Sequence, residues 1–144
     1  MRIAGVLPCS FINGKGIRYV IFVQGCAHHC NGCQNPDTWD FEGGYEVDID
    51  YLINDISKHS KILDGITLSG GDPFYQQEEC VELIKKLPPG LNVWIYTGFK
   101  YEEIENTELC KLSDVIVDGP YIESSKCEGQ LYGSDNQRII YRRK

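Results

Sequence analysis

Four short apolar runs divide this chain, and each stops at a turn that carries its least ordinary residues. The runs cover about residues 17–24, 66–69, 91–97 and 115–117. Continuous apolar stretches of this length, bounded by Gly, Pro and Asp, read as buried strands. Helical spacing fills the gaps. Asp48 is a suitable N-cap for a helix whose apolar face is Ile49, Leu52, Ile53 and Ile56. A second helix is expected over about residues 75–87, with Cys80, Val81, Ile84 and Leu87 on one face and Pro88-Pro89-Gly90 as its stop. A third, weaker helix over about residues 101–112 is expected to break at Asn106-Thr107. Residues 1–16 read as irregular, and residues 138–141 as a short β-like run. Strands alternating with helices predict an α/β fold with a parallel sheet and right-handed crossovers. Four strands are too few to close an eight-stranded barrel. The expected fold is therefore an open, partial (β/α) barrel of about four or five mainly parallel strands, forming a single domain over residues 1–144.

In such sheets the strand C-termini share one edge, and sites are assembled from the loops that follow them. After the first strand comes Cys26-Ala27-His28-His29-Cys30-Asn31-Gly32-Cys33, a C-x3-C-x2-C spacing. Thiolates this close repel one another unless a cation neutralises them, and a zinc ion or an iron–sulfur cluster would do so. Zinc would draw a fourth ligand from His28 or His29; a cluster on three cysteines would keep one iron open to a substrate. The cysteine spacing alone leaves both open. Gly70-Gly71-Asp72-Pro73, Thr97-Gly98 and Asp118-Gly119 follow the other strands and should converge on the same rim. Trp39 and Phe41 lie just past the cysteines, available to cover a cofactor.

Composition limits the setting. A net charge of −7 argues against nucleic-acid binding through phosphates. The basic end, Arg138, Arg142, Arg143 and Lys144, reads as solvated. No apolar run reaches membrane-spanning length, and the first residues are too short and weakly apolar for a secretory signal. Seven cysteines, an odd count, do not suit a disulfide framework. A cytoplasmic location with reduced thiols is expected. Cys80 reads as core and Cys110 as packing; Cys9 and Cys127 fall in loops, and none of the four is expected to be a ligand.

The cysteine loop after the first strand and the Gly-Gly-Asp-Pro turn after the second together resemble the radical S-adenosylmethionine (SAM) superfamily. Six ordered blocks narrow this. They are Val23-Gln24-Gly25-Cys26, Cys30-x-Gly32-Cys33-x-Asn35, Leu68-Ser69-Gly70-Gly71-Asp72-Pro73, Tyr96-Thr97-Gly98, Val115-Ile116-Val117-Asp118-Gly119 and Gly133-Ser134-x-Asn136-Gln137. They are similar to the activating proteins of anaerobic ribonucleotide reductases. The resemblance implies a [4Fe–4S] cluster on Cys26, Cys30 and Cys33, with SAM on the open iron. It implies SAM contacts from Gly32, Cys33, Gln34, Gly70, Gly71, Asp72, Asp118 and Asn136. Gly70 and Gly71, lacking side chains, would bring backbone polar groups to the ligand. Asp72 would accept from the SAM ammonium, cap the second helix, or both. Asp118 would contact ligand or cap a turn. Gly32 and Gln34 stand where relatives often carry an aromatic beside the third cysteine, so cover for the adenine would fall to Trp39 or Phe41. The implied activity is reductive cleavage of SAM to place a glycyl radical on the reductase, with a low-potential donor such as flavodoxin or ferredoxin. A small-molecule enzyme like the 7-carboxy-7-deazaguanine synthases, and a non-catalytic zinc or iron–sulfur module, are the rival readings.

Overall fold

The computed structural model describes residues 1–28, 38–127 and 131–142; Cys30, Gly32, Cys33 and Gln34 lie outside them. The elements are β1 (Arg2–Ser10), β2 (Arg18–Val23), β3 (Tyr45–Glu46), α1 (Ile49–His59), β4 (Gly65–Gly70), a 3₁₀ turn (Pro73–Gln76), α2 (Gln77–Lys85), β5 (Asn92–Tyr96), α3 (Tyr101–Ile104), α4 (Glu108–Leu112), β6 (Val115–Asp118), a second 3₁₀ turn (Glu123–Ser125) and β7 (Arg138–Tyr141). They build one mixed sheet in the order β3-β1-β2-β4-β5-β6-β7. The four predicted strands are its parallel centre, β2-β4-β5-β6. Antiparallel strands flank it on both sides, β1 and β3 beyond β2, and β7 beyond β6. Among the described residues no pairing joins β3 to β7, so the sheet stays open.

Seven strands replace the expected four or five, because residues 2–10 are not irregular but form β1, and Tyr45–Glu46 add the short β3. Ile3 of β1 pairs with Val23 and Ser10 with Arg18, with register shifts between Ile3 and Gly5 and between Leu7 and Ser10. Pro8 falls inside the second irregularity, a position where a strand tolerates a residue without an N–H. Only Ile3 and Ser10 of this strand are fully buried. The pairing partner, more than local alternation, makes it a strand.

Strand alternation sends side chains to two unlike faces. Tyr19, Ile21, Val23, Ile66, Leu68, Val93, Ile95 and Ile116 pack with Ile49, Leu52 and Ile56 of α1, Cys80 and Leu83 of α2, and Leu109 and Cys110 of α4. Full burial of a Leu or Ile side chain stabilises by about 2 kcal/mol, so this helical face holds most of the fold. Asp48 caps α1 as predicted, accepting from Asp50 N at 2.9 Å. The break at Asn106-Thr107 is also present: α3 stops at Ile104, and Thr107 caps α4 by accepting from Cys110 N at 3.2 Å. The second helix differs. It begins as a 3₁₀ turn capped by Asp72, so Asp72 does not cap α2 itself. The face it buries is Cys80 and Leu83, with Val81, Ile84 and Leu87 at the margin.

The opposite face carries Trp94, Val115 and Val117, with Tyr96, Leu131, Tyr132 and Ile139 against them. Among the described residues, no helix residue belongs to this smaller cluster. Arg18 is fully buried at the start of β2. Its guanidinium donates to Thr67 Oγ1, Asn92 Oδ1 and the carbonyls of Lys15, Ile66 and Asn92, and lies over the Trp94 ring. Burial pushes its pKa down to about 10, against the pull of Asp64. Among the described residues no helix is long and apolar enough to cross a membrane.

Candidate active site

The β2–β4 ladder ends at the pair Val23 and Gly70, but backbone bonding continues past it. Gly71 N donates to Val23 O at 2.7 Å, and Asp72 N to Gly25 O at 2.9 Å. On the other side Gly25 N donates to Thr38 O at 2.6 Å, and Cys26 N to Trp39 O at 3.1 Å. The start of the cysteine loop is thus held between the glycine turn and the loop's own exit. Cys26, at 8% exposure, is fixed there.

The glycines of the turn are required by the chain itself. Gly70 has φ +97°, and a Cβ on it would lie 2.6 Å from Val23 N. A Cβ on Gly71 would lie 2.4 Å from Gly25 O. Close approach of backbone to backbone is the first reason for Gly70-Gly71, with any approach to a ligand added to it. Gly25, at φ +109°, makes room in the same way for the Phe41 ring, 2.5 Å from where its Cβ would be.

A cavity of about 450 Å³ opens over the ends of β4, β5 and β6. That volume suits a ligand of cofactor or drug size. Cys26, His28 and Trp39 line one side, and Ser69, Gly70, Gly71, Thr97 and Gly98 its floor. Tyr96, Gly119, Cys127, Leu131, Gly133 and Gln137 form the far side, and Ile12 and Asn13 reach in from the β1–β2 connection. Burial pushes the Tyr96 phenol up to about 12, with Arg18 opposing. Tyr96 Oη donates to Leu131 O at 2.6 Å, which ties the far wall to the sheet. The Tyr75 phenol is raised by burial and then by Asp72 and Cys26.

Of the expected site residues, Cys26, Gly70 and Gly71 meet at this cavity. Asp72 stands behind its wall, with a fully buried carboxylate that accepts from Phe74 N, Thr97 Oγ1 and Gly98 N. Asp118 is drawn to the sheet end, where it accepts from Tyr101 N and from the Arg138 backbone and guanidinium. Asn136 donates to Pro120 O and accepts from Ser134 Oγ. Neither Asp118 nor Asn136 lines the cavity; Gly119 and Gln137 beside them do. Gln137 Nε2 donates to Gly119 O at 2.9 Å and its Oε1 accepts from Gly133 N at 2.8 Å. Cys30, Gly32, Cys33 and Gln34 fall outside the described residues. Trp39 lines the cavity, whereas Phe41 packs edge-on to Tyr75 with ring centroids 5.4 Å apart. Cys80 and Cys110 are buried on the helical face and burial raises both thiols, consistent with packing roles. His28, offered by the sequence only as a fourth ligand for zinc, lines the cavity and bonds to Asp72 instead, and Cys127, read as a loop residue, also lines the cavity. The signal for His28 is its place within the cysteine loop, opposite a glycine at residue 98.

The donor chemistry fits an iron–sulfur group. Cys26 puts a soft thiol, a donor that suits such a group, at the wall of this cavity. The family model for a 4Fe–4S single cluster domain matches residues 12–140. Three similar curated proteins are each named anaerobic ribonucleoside-triphosphate reductase-activating protein. One from Enterobacteria phage T4 is 38% identical, over 93% of this chain and 90% of its own length. One from Escherichia coli is 34% identical, over 94% of this chain and 96% of its own. One from Haemophilus influenzae is 33% identical, over 94% of each.

Proposed function

This chain belongs to the anaerobic ribonucleoside-triphosphate reductase-activating proteins, and from that we propose how its residues serve the family's task. It is an iron–sulfur enzyme that generates a glycyl radical on the reductase. The observation that carries the detailed reading is the placement of Cys26 at one cavity, next to the backbone of Gly70 and Gly71. Cys26, Cys30 and Cys33 hold a [4Fe–4S] cluster by three thiolates. When bound, such a cluster would supply the one-electron chemistry for reductive cleavage of SAM, which leads to a radical on a reductase glycine.

The chain's own residues bind and orient. Backbone groups of Gly32, Cys33 and Gln34, and of Gly70 and Gly71, meet SAM. Trp39 covers the adenine side. Asp72, Asp118 and Asn136 serve as supports, through Thr97 and Gly98 for the first and through Gly119 and Gln137 for the others. The open sheet is a partial barrel of radical SAM type, and the face that carries no helix among the described residues gives the reductase access. A flavodoxin or ferredoxin delivers the electron, in the cytoplasm.

The test is anaerobic EPR on iron-reconstituted protein mixed with reductant, SAM and the reductase, with 5′-deoxyadenosine assayed in parallel. A glycyl-radical signal that needs every component is expected. Cleavage of SAM without that radical, on a reductase that its own cognate activase can charge, would reject the target. Retention of SAM cleavage by Cys30→Ala would reject the ligand set.

A further inference from the structure

His28 follows Cys26 by two residues and reaches across the rim to Asp72. Its Nε2 lies 2.8 Å from Asp72 Oδ2, with the His28 side chain 18% exposed and that of Asp72 0%. A carboxylate only accepts, so Nε2 carries the proton and donates. The same carboxylate accepts from Thr97 Oγ1 at 2.8 and 2.9 Å, from Gly98 N at 2.9 Å and from Phe74 N at 3.1 Å. An ionised carboxylate offers about four lone-pair positions, and these donors fill them. Asp72 therefore joins three pieces of chain: the end of β5, the 3₁₀ turn before α2, and the cysteine loop through His28.

The imidazole has a seat made for it. It stands edge-on to Phe99 at a centroid distance of 4.6 Å and tilts against Tyr75 at 5.8 Å. A Cβ on Gly98 would lie 2.6 Å from His28 Cδ2. Gly98 thus makes room for this ring. A loop histidine with no task would not have a buried acceptor, two aromatic walls and a glycine floor.

We propose that His28 is a positioning residue for the cluster, clasping the cysteine loop to the sheet edge through Asp72. The proposal rests on the reading that Cys26, Cys30 and Cys33 hold that cluster. Three thiolates must converge from one loop, and fixing the loop's first turn to the sheet reduces the freedom lost on binding. Asp72 then serves the protein and is spent on it, so it is not the group that meets the SAM ammonium. Groups that orient a metal loop from behind the ligands commonly change metal affinity by about 10- to 100-fold when removed.

The experiment compares His28→Ala, His28→Gln and His28→Leu in the full chain, with Cys30→Ala as control. The readouts are iron and sulfide per chain after anaerobic reconstitution, the rate of iron loss to a chelator, the EPR g-values of the reduced cluster, and the Tm of the apoprotein. His28→Ala and His28→Leu should lose iron about tenfold faster, with shifted g-values and a fall in apo Tm too small to account for that loss. His28→Gln, whose amide N–H can reach Asp72, should recover most of the wild-type retention. Wild-type retention and g-values in His28→Ala or His28→Leu would overturn the clasp. So would a fall in apo Tm that accounts for the loss, with no rescue by Gln. Leu keeps the packing against Phe99 and Tyr75, so it decides the matter if Ala does not fold. An intact cluster in Cys30→Ala would instead reject the ligand reading, whatever His28 does.

Discussion

Gly71 passes so close to Gly25 that a methyl group on Gly71 would stand 2.4 Å from the Gly25 carbonyl oxygen. The glycine turn and the root of the cysteine loop are interlocked backbone to backbone. Gly71→Ala should therefore destabilise the apoprotein by about 1–3 kcal/mol, the usual cost of forcing a packed site apart. Gly70→Ala carries the added strain of a left-handed backbone at φ +97° and should cost more. Equilibrium urea unfolding of both apo variants checks this; unchanged midpoints would show that the turn is free to yield.

Arg18 is a second place where a single change should be felt. Replacing it with Leu would leave the buried Ile66 carbonyl and Thr67 hydroxyl, and the Asn92 carbonyl at the edge, without its donor. The expected loss is on the order of 3 kcal/mol. Arg18→Lys should recover only part of it, since one ammonium cannot span the set that a planar guanidinium reaches. Urea midpoints of the two variants would separate these outcomes, and equal midpoints would refute the second.

Tyr96 gives a dependence on alkaline pH. Its phenol titrates at about 12 in the folded protein and at about 10 in an unfolded chain. The unfolded chain sheds the proton first, so this contribution is whole below pH 10 and is lost between about 10 and 12. Arg18, pushed down to about 10, acts in the opposite sense over the same range. Tyr96→Phe retains Arg18 and removes the phenol. Its stability should decline less steeply than wild type across that window, beneath a pH-independent loss of about 1 kcal/mol for the bond to Leu131 O. Parallel pH profiles from chemical denaturation would contradict this.

Thiol labelling separates the cysteines by environment. In the apoprotein at mildly alkaline pH, iodoacetamide should modify exposed Cys9 and leave Cys80 and Cys110 intact until denaturant is added. Burial raises both of the latter thiols as well as blocking access. Early labelling of Cys80, followed by peptide mass spectrometry, would show that α2 does not pack as described.

Much of this was legible in the sequence where the signal is local. The parallel centre of the sheet, the Asp48 cap and the break before Thr107 follow from runs and spacing that a chain carries on its own. What escaped depends on partners distant in sequence. β1 is a strand because β2 and β3 pair with it, and β3 has only two residues to announce itself. Leu83, outside the predicted face, is fully buried beside Cys80, while Val81, Ile84 and Leu87 pack at the margin of the same core. Arg18 looks like an ordinary surface cation until Thr67, Asn92 and Trp94 close around it. The glycines after β4, β5 and β6 converge on one cavity, as their places after the strands predict. The engagement of Asp72 by four donors from residues 28, 74, 97 and 98 required the folded chain to be seen.

The order β2-β4-β5-β6 runs along the sheet as it runs along the chain. Each parallel strand docks on the one made before it, so the sheet can extend at one edge as the polypeptide leaves the ribosome. The timing of the rim follows from the same order. Gly25 and Cys26 emerge early, Asp72 arrives after β4, and Thr97 and Gly98 only after β5. The cysteine loop is therefore synthesised long before the last of its anchors, and under the proposed ligand set cofactor loading is best matched to a chain whose fifth strand is already in place.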